Sequence, residues 1–224
     1  MRDKADRISW RQCRGIETVD LNDDLVLVQA PTEQVAQALS QLRQVVYWKR
    51  DVYEREIVIQ GHGLIVFRLQ GHPWTLIREL PIKKYNVLLE EKDAQSLSSL
   101  LGTKAMFYQV SDTASNIGYY LYNCGELMEK LFYTSECEEE LDEEDEDEET
   151  NHGTYQFQSQ LRSIKVEKIK NPYSFIENFF WQQDVYIPAL YTRMIFRVGQ
   201  RFSLQMKEIN QPDELERMDY MVFN

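Results

Sequence analysis

Cysteine is scarce and odd in number: Cys13, Cys124 and Cys137 are the only three in 224 residues. Their wide spacing matches no zinc-ligand pattern, and an odd, scattered set makes no disulfide framework. Reduced thiols in a cytoplasmic protein are the expectation. Long apolar runs are also missing. None approaches the ~18 residues of a membrane-spanning helix, so no membrane contact is expected. The opening stretch MRDKADRISWRQ carries no apolar segment of the secretory kind.

An excess of positive charge is absent as well. The 25 Lys and Arg face 37 Asp and Glu, a net of −12. The best basic cluster, Arg2, Lys4, Arg7, Arg11 and Arg14, is offset by Asp3 and Asp6. Nucleic acid is therefore not an expected partner, because a chain of this sign repels phosphates within and beyond the ~8 Å Debye length.

What is present is one concentrated feature. From Glu136 to Glu149, twelve of fourteen residues are carboxylates. Without those twelve the remaining chain is formally neutral, 25 acids against 25 bases. The acidity is thus one local insertion, residues 136–153, and a self-repelling run of this composition is expected to stay disordered. A calcium loop needs spaced ligands and a glycine for its sharp turn. This run has no glycine before Gly153, so diffuse cation attraction is expected and a defined metal site is not. The tract suits a basic surface of a protein partner, the acid run imitating nucleic acid, or the chain's own Arg162, Lys165, Lys168 and Lys170.

The rest is strand-rich. LVLVQ (25–29), REIVIQ (55–60), LIVFRLQ (64–70), KAMFYQV (104–110), IGYYLY (117–122), ELMEKLFY (126–133) and TYQFQSQLRSI (154–164) are dense in β-branched and aromatic residues. GHG at 61–63, GHP at 71–73 and NCG at 123–125 read as turns, the last as a tight hairpin. Three helices are expected. The first, PTEQVAQALSQL, has Thr32 as its cap and an apolar stripe of Val35, Ala38, Leu39 and Leu42. The second, DAQSLSSLLG, has Asp93 as cap, a face of Ala94, Leu97, Leu100 and Leu101, and Gly102 at its stop. The third, NPYSFIENFFWQQ, is capped by Asn171 with Pro172 at its first position. Its Phe175, Ile176, Phe179 and Phe180 lie within about 140° of arc.

Residues 36–42 and 94–100 agree at five of seven positions, and each helix is expected to follow an apolar strand, LVLVQ or YNVLL. That pattern is compatible with two β-α-β-β-β pseudo-repeats, 23–70 and 85–133, or with coincidence between two amphipathic helices. Either way the fold class is α+β: a mostly antiparallel sheet with about three helices packed on it, in a single domain over 1–224. The acidic tract falls between two strands. Lengthening such a loop from about four to about twenty residues costs only ~1.4 kcal/mol.

Candidate chemistry is thin. His62 and His72 flank a strand that rises about 3.3 Å per residue, which sets them some 20 Å apart, too far to share an ion. Both read as polar turn residues. Cys124 sits in the hairpin turn with no histidine tied to it. The hydroxyls and Asp112 of SDTASN (111–116) suit a turn better than a phosphate site. Gly61 and Gly63 lack the strand-then-helix context of a phosphate loop. Trp181 falls about 100° past Phe180, off the apolar arc, where it either anchors a partner or folds back over the body.

These readings assign no catalytic, cofactor-binding or metal-binding residue and no cofactor. They point to a non-enzymatic interaction module with an unidentified protein partner of basic surface. The residues assigned to contact that partner are Glu143, Glu144, Asp145, Glu146, Asp147 and Trp181. The rival reading is a small hydrolase or transferase with its site in a cleft of the sheet.

Overall fold

The computed structural model describes Trp10 and residues 15–16, 22–52, 56–83, 87–111, 114–135, 153–188, 195–204 and 215–224. Along the chain run β1 (Gly15–Ile16), β2 (Asn22–Val28), α1 (Thr32–Leu42), β3 (Val45–Lys49), β4 (Glu56–Val58), β5 (Gly63–Leu69) and β6 (Thr75–Leu80). There follow α2 (Glu91–Leu101), β7 (Lys104–Ser111), β8 (Asn116–Asn123), β9 (Glu126–Ser135) and β10 (Gly153–Ser159). A 3-10 turn (Val166–Lys168), α3 (Pro172–Gln182), β11 (Tyr186–Ile187), β12 (Arg201–Ser203) and β13 (Leu215–Phe223) complete the order.

Nine strands form one sheet in the order β10-β9-β8-β7-β2-β6-β5-β13-β3, with every neighbouring pair antiparallel. Among the described residues this sheet carries three α-helices, which makes the fold α+β. Both faces of its centre are covered. On one face α1 and α2 set Val35, Leu39, Ala94 and Leu97 against Val26, Leu64, Val66, Phe107 and Met221. On the other, Ile176, Phe179 and Phe180 of α3, with Trp74, Tyr186 and Phe202, meet Leu27, Phe67, Tyr108, Tyr119 and Tyr220. That double cover explains the unbroken LIVF run of β5: Leu64, Ile65, Val66 and Phe67 are all buried, alternate residues serving opposite layers. The outermost β10 instead alternates half-buried and exposed residues.

The local signals resolve into specific geometry. In the NCG turn, Asn123 pairs with Glu126, and Cys124 and Gly125 have φ of 51° and 85°. Positive φ at both central residues is the type I′ hairpin, whose twist suits the flanking strands. Gly102 ends α2 in the left-handed conformation (φ 60°), and the Asn171 side chain accepts from the Ser174 N–H at 3.0 Å.

Two caps differ from expectation. Thr32 is not the cap of α1; Pro31 holds that position, and the Thr32 hydroxyl is buried with no hydrogen-bond partner among the described residues. Asp93 is not the cap of α2 either. The helix begins earlier, at Glu91 with Glu90 as its cap, and Asp93 reaches back from the third position to accept the Glu90 N–H at 2.8 Å. Its carboxylate also pairs with Arg43, just past α1, at 2.6 Å, so a helix-start residue ties the two helices together.

Some strands are placed by partners rather than by pattern. REIVIQ yields only the short β4, which leaves the main sheet and pairs with β12. Residues 87–90 of the YNVLL neighbourhood are not a strand. VVYWK, TLIREL and LERMDYMVF form β3, β6 and β13. The strand after α1, β3, lies at the sheet edge, whereas the strand after α2, β7, pairs centrally with β2.

Candidate functional site

Residues 87–90 lead into α2 and are held there by Glu79 of β6. Its Oε2 accepts the N–H groups of Leu88 at 3.0 Å and Leu89 at 3.4 Å. Its Oε1 is bonded to His62 Nε2. His62 is therefore not an isolated turn residue; it steadies the carboxylate that fixes this segment.

Between that segment and the sheet lies a groove of about 490 Å³. Asp24 of β2, Phe107, Gln109 and Ser111 of β7 and Asn116 of β8 line it, opposite Val87, Leu89, Glu90 and Glu91. No Lys or Arg is among its lining residues within the described part of the chain. Asp24 keeps an exposed side, but the surrounding protein strips part of its hydration, and together with the Glu79 charge this pushes its carboxyl up to about 6. Glu91 accepts the Tyr122 hydroxyl. Burial, then that hydrogen bond and charge, hold the Tyr122 phenol above its ordinary range, so it remains a donor. The Glu90 carboxylate is drawn below its usual value by its hydrogen bond and ion pair with Lys92 at 2.6 Å. Chemically, the groove attracts cationic groups and offers Asp24 as a carboxyl that exchanges a proton near neutral pH.

The opposite layer holds a polar centre built on a buried carboxylate. Glu129 of β9 is fully buried and accepts from Tyr119 at 2.5 Å, from Ser159 at 2.5 Å and from Arg162 at 2.6 and 2.9 Å. The Arg162 guanidinium lies over the rings of Phe175 (4.6 Å) and Phe179 (5.0 Å). Burial, then the Glu129 charge, hold the Tyr119 phenol far above its ordinary range. Every oxygen of the buried carboxylate is satisfied, so this centre locks β9, the turn after β10 and α3 together rather than presenting groups to a ligand.

No protein-family model, curated protein or solved structure matches this chain.

The sequence-predicted residues fall as follows. Glu143, Glu144, Asp145, Glu146 and Asp147 lie outside the described residues, as do Cys13, Cys137 and the N-terminal basic cluster. Trp181 is 47% exposed at the end of α3, on the layer opposite the groove. Cys124 is exposed in its turn. Phe175 is only half-buried, unlike Ile176, Phe179 and Phe180. Among the described residues no three His, Cys, Asp or Glu side chains gather as a metal site. Ser111 and Asn116, the ends of the SDTASN stretch, line the groove. Asp24, Glu79, Glu90 and Glu91 had no sequence signal: acids are common in this chain, and three elements, β2, β6 and the start of α2, bring these together.

His72 departs most from a turn histidine. It is 2% exposed; Nδ1 donates to the Trp74 carbonyl at 2.7 Å and Nε2 accepts the Tyr186 N–H at 3.1 Å. Burial pushes it down to about 4. Since the unfolded chain protonates first as pH falls, the neutral imidazole's contribution is complete above about pH 6.5 and is lost between there and pH 4, ~3 kcal/mol in all. Asp24 acts in the opposite sense, its raised carboxyl favouring the fold at low pH. The measurement is therefore a difference: urea unfolding of the protein and of His72→Gln across pH 4–7, the variant being less stable at neutral pH and lacking this part of the slope.

Proposed function

We propose that this protein is a non-enzymatic cytoplasmic binding module that engages a basic surface on a protein partner through its acidic tract. The observation that carries the reading is where the tract joins the fold. Ser135 and Gly153 are register partners at the open end of the β9–β10 hairpin. Thr134, beside that root, pairs with Asn116 of the acidic groove. The points from which the tract departs and the acidic groove thus belong to one end of the sheet, which supports a partner whose clustered Lys and Arg engage both. Close contact fixes the root: a Cβ on Gly153 would come within 2.2 Å of the Tyr133 ring.

The cytoplasmic location belongs to the same proposal, supported by the three scattered cysteines. So does the reading of 1–224 as one domain with a disordered insertion, supported by β13, which pairs between β5 and β3; the insertion expected over 136–153 stops short of Gly153, which already belongs to β10 and pairs with Ser135. Kinship of the two helical segments is supported by their packing side by side on one face, and opposed by the different places of the strands that follow them.

The test is affinity purification with the full chain and with Glu136–Glu149 deleted. Capture should weaken steeply as salt rises, and the deletion should flatten that dependence. Because the flanking residues Ser135 and Gly153 are already paired, the deletion should leave the melting temperature nearly unchanged, and amides across the tract should exchange without protection. Collapse of the fold on deletion would remove the appendage reading. A second reading, a hydrolase or transferase, is favoured by the raised Asp24 carboxyl in the groove. A turnover lost in Asp24→Asn yet kept in the deletion would select it.

A further inference from the structure

Among the carboxylates that line the groove beside α2, Asp24 is the one left unengaged. It accepts no hydrogen bond and joins no ion pair among the described residues. Glu90, by contrast, is paired with Lys92, and Glu91 accepts the Tyr122 hydroxyl. Partly stripped of water and close to the Glu79 charge, the Asp24 carboxylate carries a cost that an approaching cation relieves. Asp24 is in register with Gln109 of the neighbouring strand. The half-buried Gln109 side chain also has no hydrogen-bond partner among the described residues. A carboxylate and an amide, both open, therefore stand side by side on the floor.

The surroundings add an apolar half to this site. Phe107, Gln109 and Ser111 alternate along β7 and so share the groove face, over about 13 Å at ~3.3 Å per residue. Phe107 and Leu89 are buried at the lining, and Val87 is 59% exposed there. A bare ion would leave these apolar groups uncovered, and a neutral apolar ligand would bury Asp24 without compensation. The positive end of the α2 dipole does not invite an anion instead, because Glu90, Glu91 and Asp93 all stand at the start of that helix. The volume, about 490 Å³, is that of a site for an organic group.

We infer that the groove takes a cationic side chain with an aliphatic stem, a lysine or arginine presented by the protein partner. Its charged head meets Asp24 and Gln109, and its methylene stem lies against Phe107 and Val87. The inference rests on the reading of this end of the sheet as the surface that meets a basic partner, and it names what that partner inserts.

The test is an amide chemical-shift titration of the full chain with a capped peptide carrying one lysine between alanines. Residues 24, 87–91 and 109 should shift saturably, and the same peptide with norleucine in place of lysine should leave them unmoved. Asp24→Asn should weaken binding by about tenfold. Its melting temperature at neutral pH should rise, because a poorly hydrated charge is gone; an aspartate with a merely structural role would lower it instead. Affinity of the native chain should fall from about pH 7 to about pH 5, as protonation removes the Asp24 charge, and Asp24→Asn should flatten that fall. The comparison isolates Asp24 from Glu79, Glu90, Glu91, His62 and Tyr122 around it, which both proteins keep.

An absence of saturable shifts at these residues would overturn the proposal, as would equal binding of the norleucine peptide or an unchanged affinity in Asp24→Asn. Loss of the shifts on deleting Glu136–Glu149 would overturn it too, since the groove would not then be the site. Butylamine binding as tightly as the peptide would overturn a partner's side chain as the ligand. If the peptide fails while salt-dependent capture of a partner persists, the groove site falls and the interaction reading stands. If the peptide binds as described while no salt-dependent capture occurs, the groove site stands and the tract reading falls.

Discussion

Arg162→Ala should lower the free energy of unfolding by about 3–5 kcal/mol, because it leaves a buried carboxylate without its counter-charge. Glu129 is 0% exposed, and Arg162 supplies two of its hydrogen bonds, at 2.6 and 2.9 Å. Removing the arginine also removes the planar group that lies over Phe175 and Phe179. Urea unfolding measures the loss. The diagnostic comparison is the double variant Glu129→Leu/Arg162→Met, which replaces charge by apolar volume. If the penalty is that of an orphaned charge, the double variant should lose less than Arg162→Ala alone. A loss below about 1 kcal/mol in the single variant would show that the centre does not lock the layers.

Phe179→Ala should cost a similar amount, about 3–5 kcal/mol, for a different reason. The ring is 2% exposed and stacks on Tyr119 with centroids 4.5 Å apart. Truncation opens a cavity between α3 and the sheet that rigid neighbours such as Phe180 and Tyr108 close only in part. Since Arg162 touches both Phe179 and Glu129, the two substitutions should not add: the double variant Arg162→Ala/Phe179→Ala should lose less than the sum of the singles. Additive losses would mean that the aromatic layer and the ion pair act independently.

Period and composition carried much of the fold. The β-branched runs at β2, β5, β7, β8 and β9 became strands because each has partners to fill both its faces or both its edges. Asn171-Pro172 and Gly102 marked helix ends because their preferences are local, set by one side-chain oxygen or one backbone angle. The NCG turn was legible for the same reason. By contrast, Thr32 and Asp93 are not caps but the first and third residues of their helices. Pro31 already supplies the extended backbone that precedes α1, and Glu90 lets α2 start a turn earlier.

By itself, then, the sequence determined an antiparallel α+β fold, the neutrality of the chain outside 136–149, and the hairpin from which that run of acids departs. Those properties depend on neighbours within a few residues or on a simple count of charges. Only the tertiary structure decided the rest. It inserted the C-terminal β13 between β5 and β3, turned His72 from a surface turn into a buried neutral imidazole, and assembled Asp24, Glu90 and Glu91 around one groove. It also buried Glu129 under Arg162. Each of these joins residues far apart along the chain, and long-range pairing is chosen by which faces can be buried and which charges can be satisfied together, information that no short stretch contains.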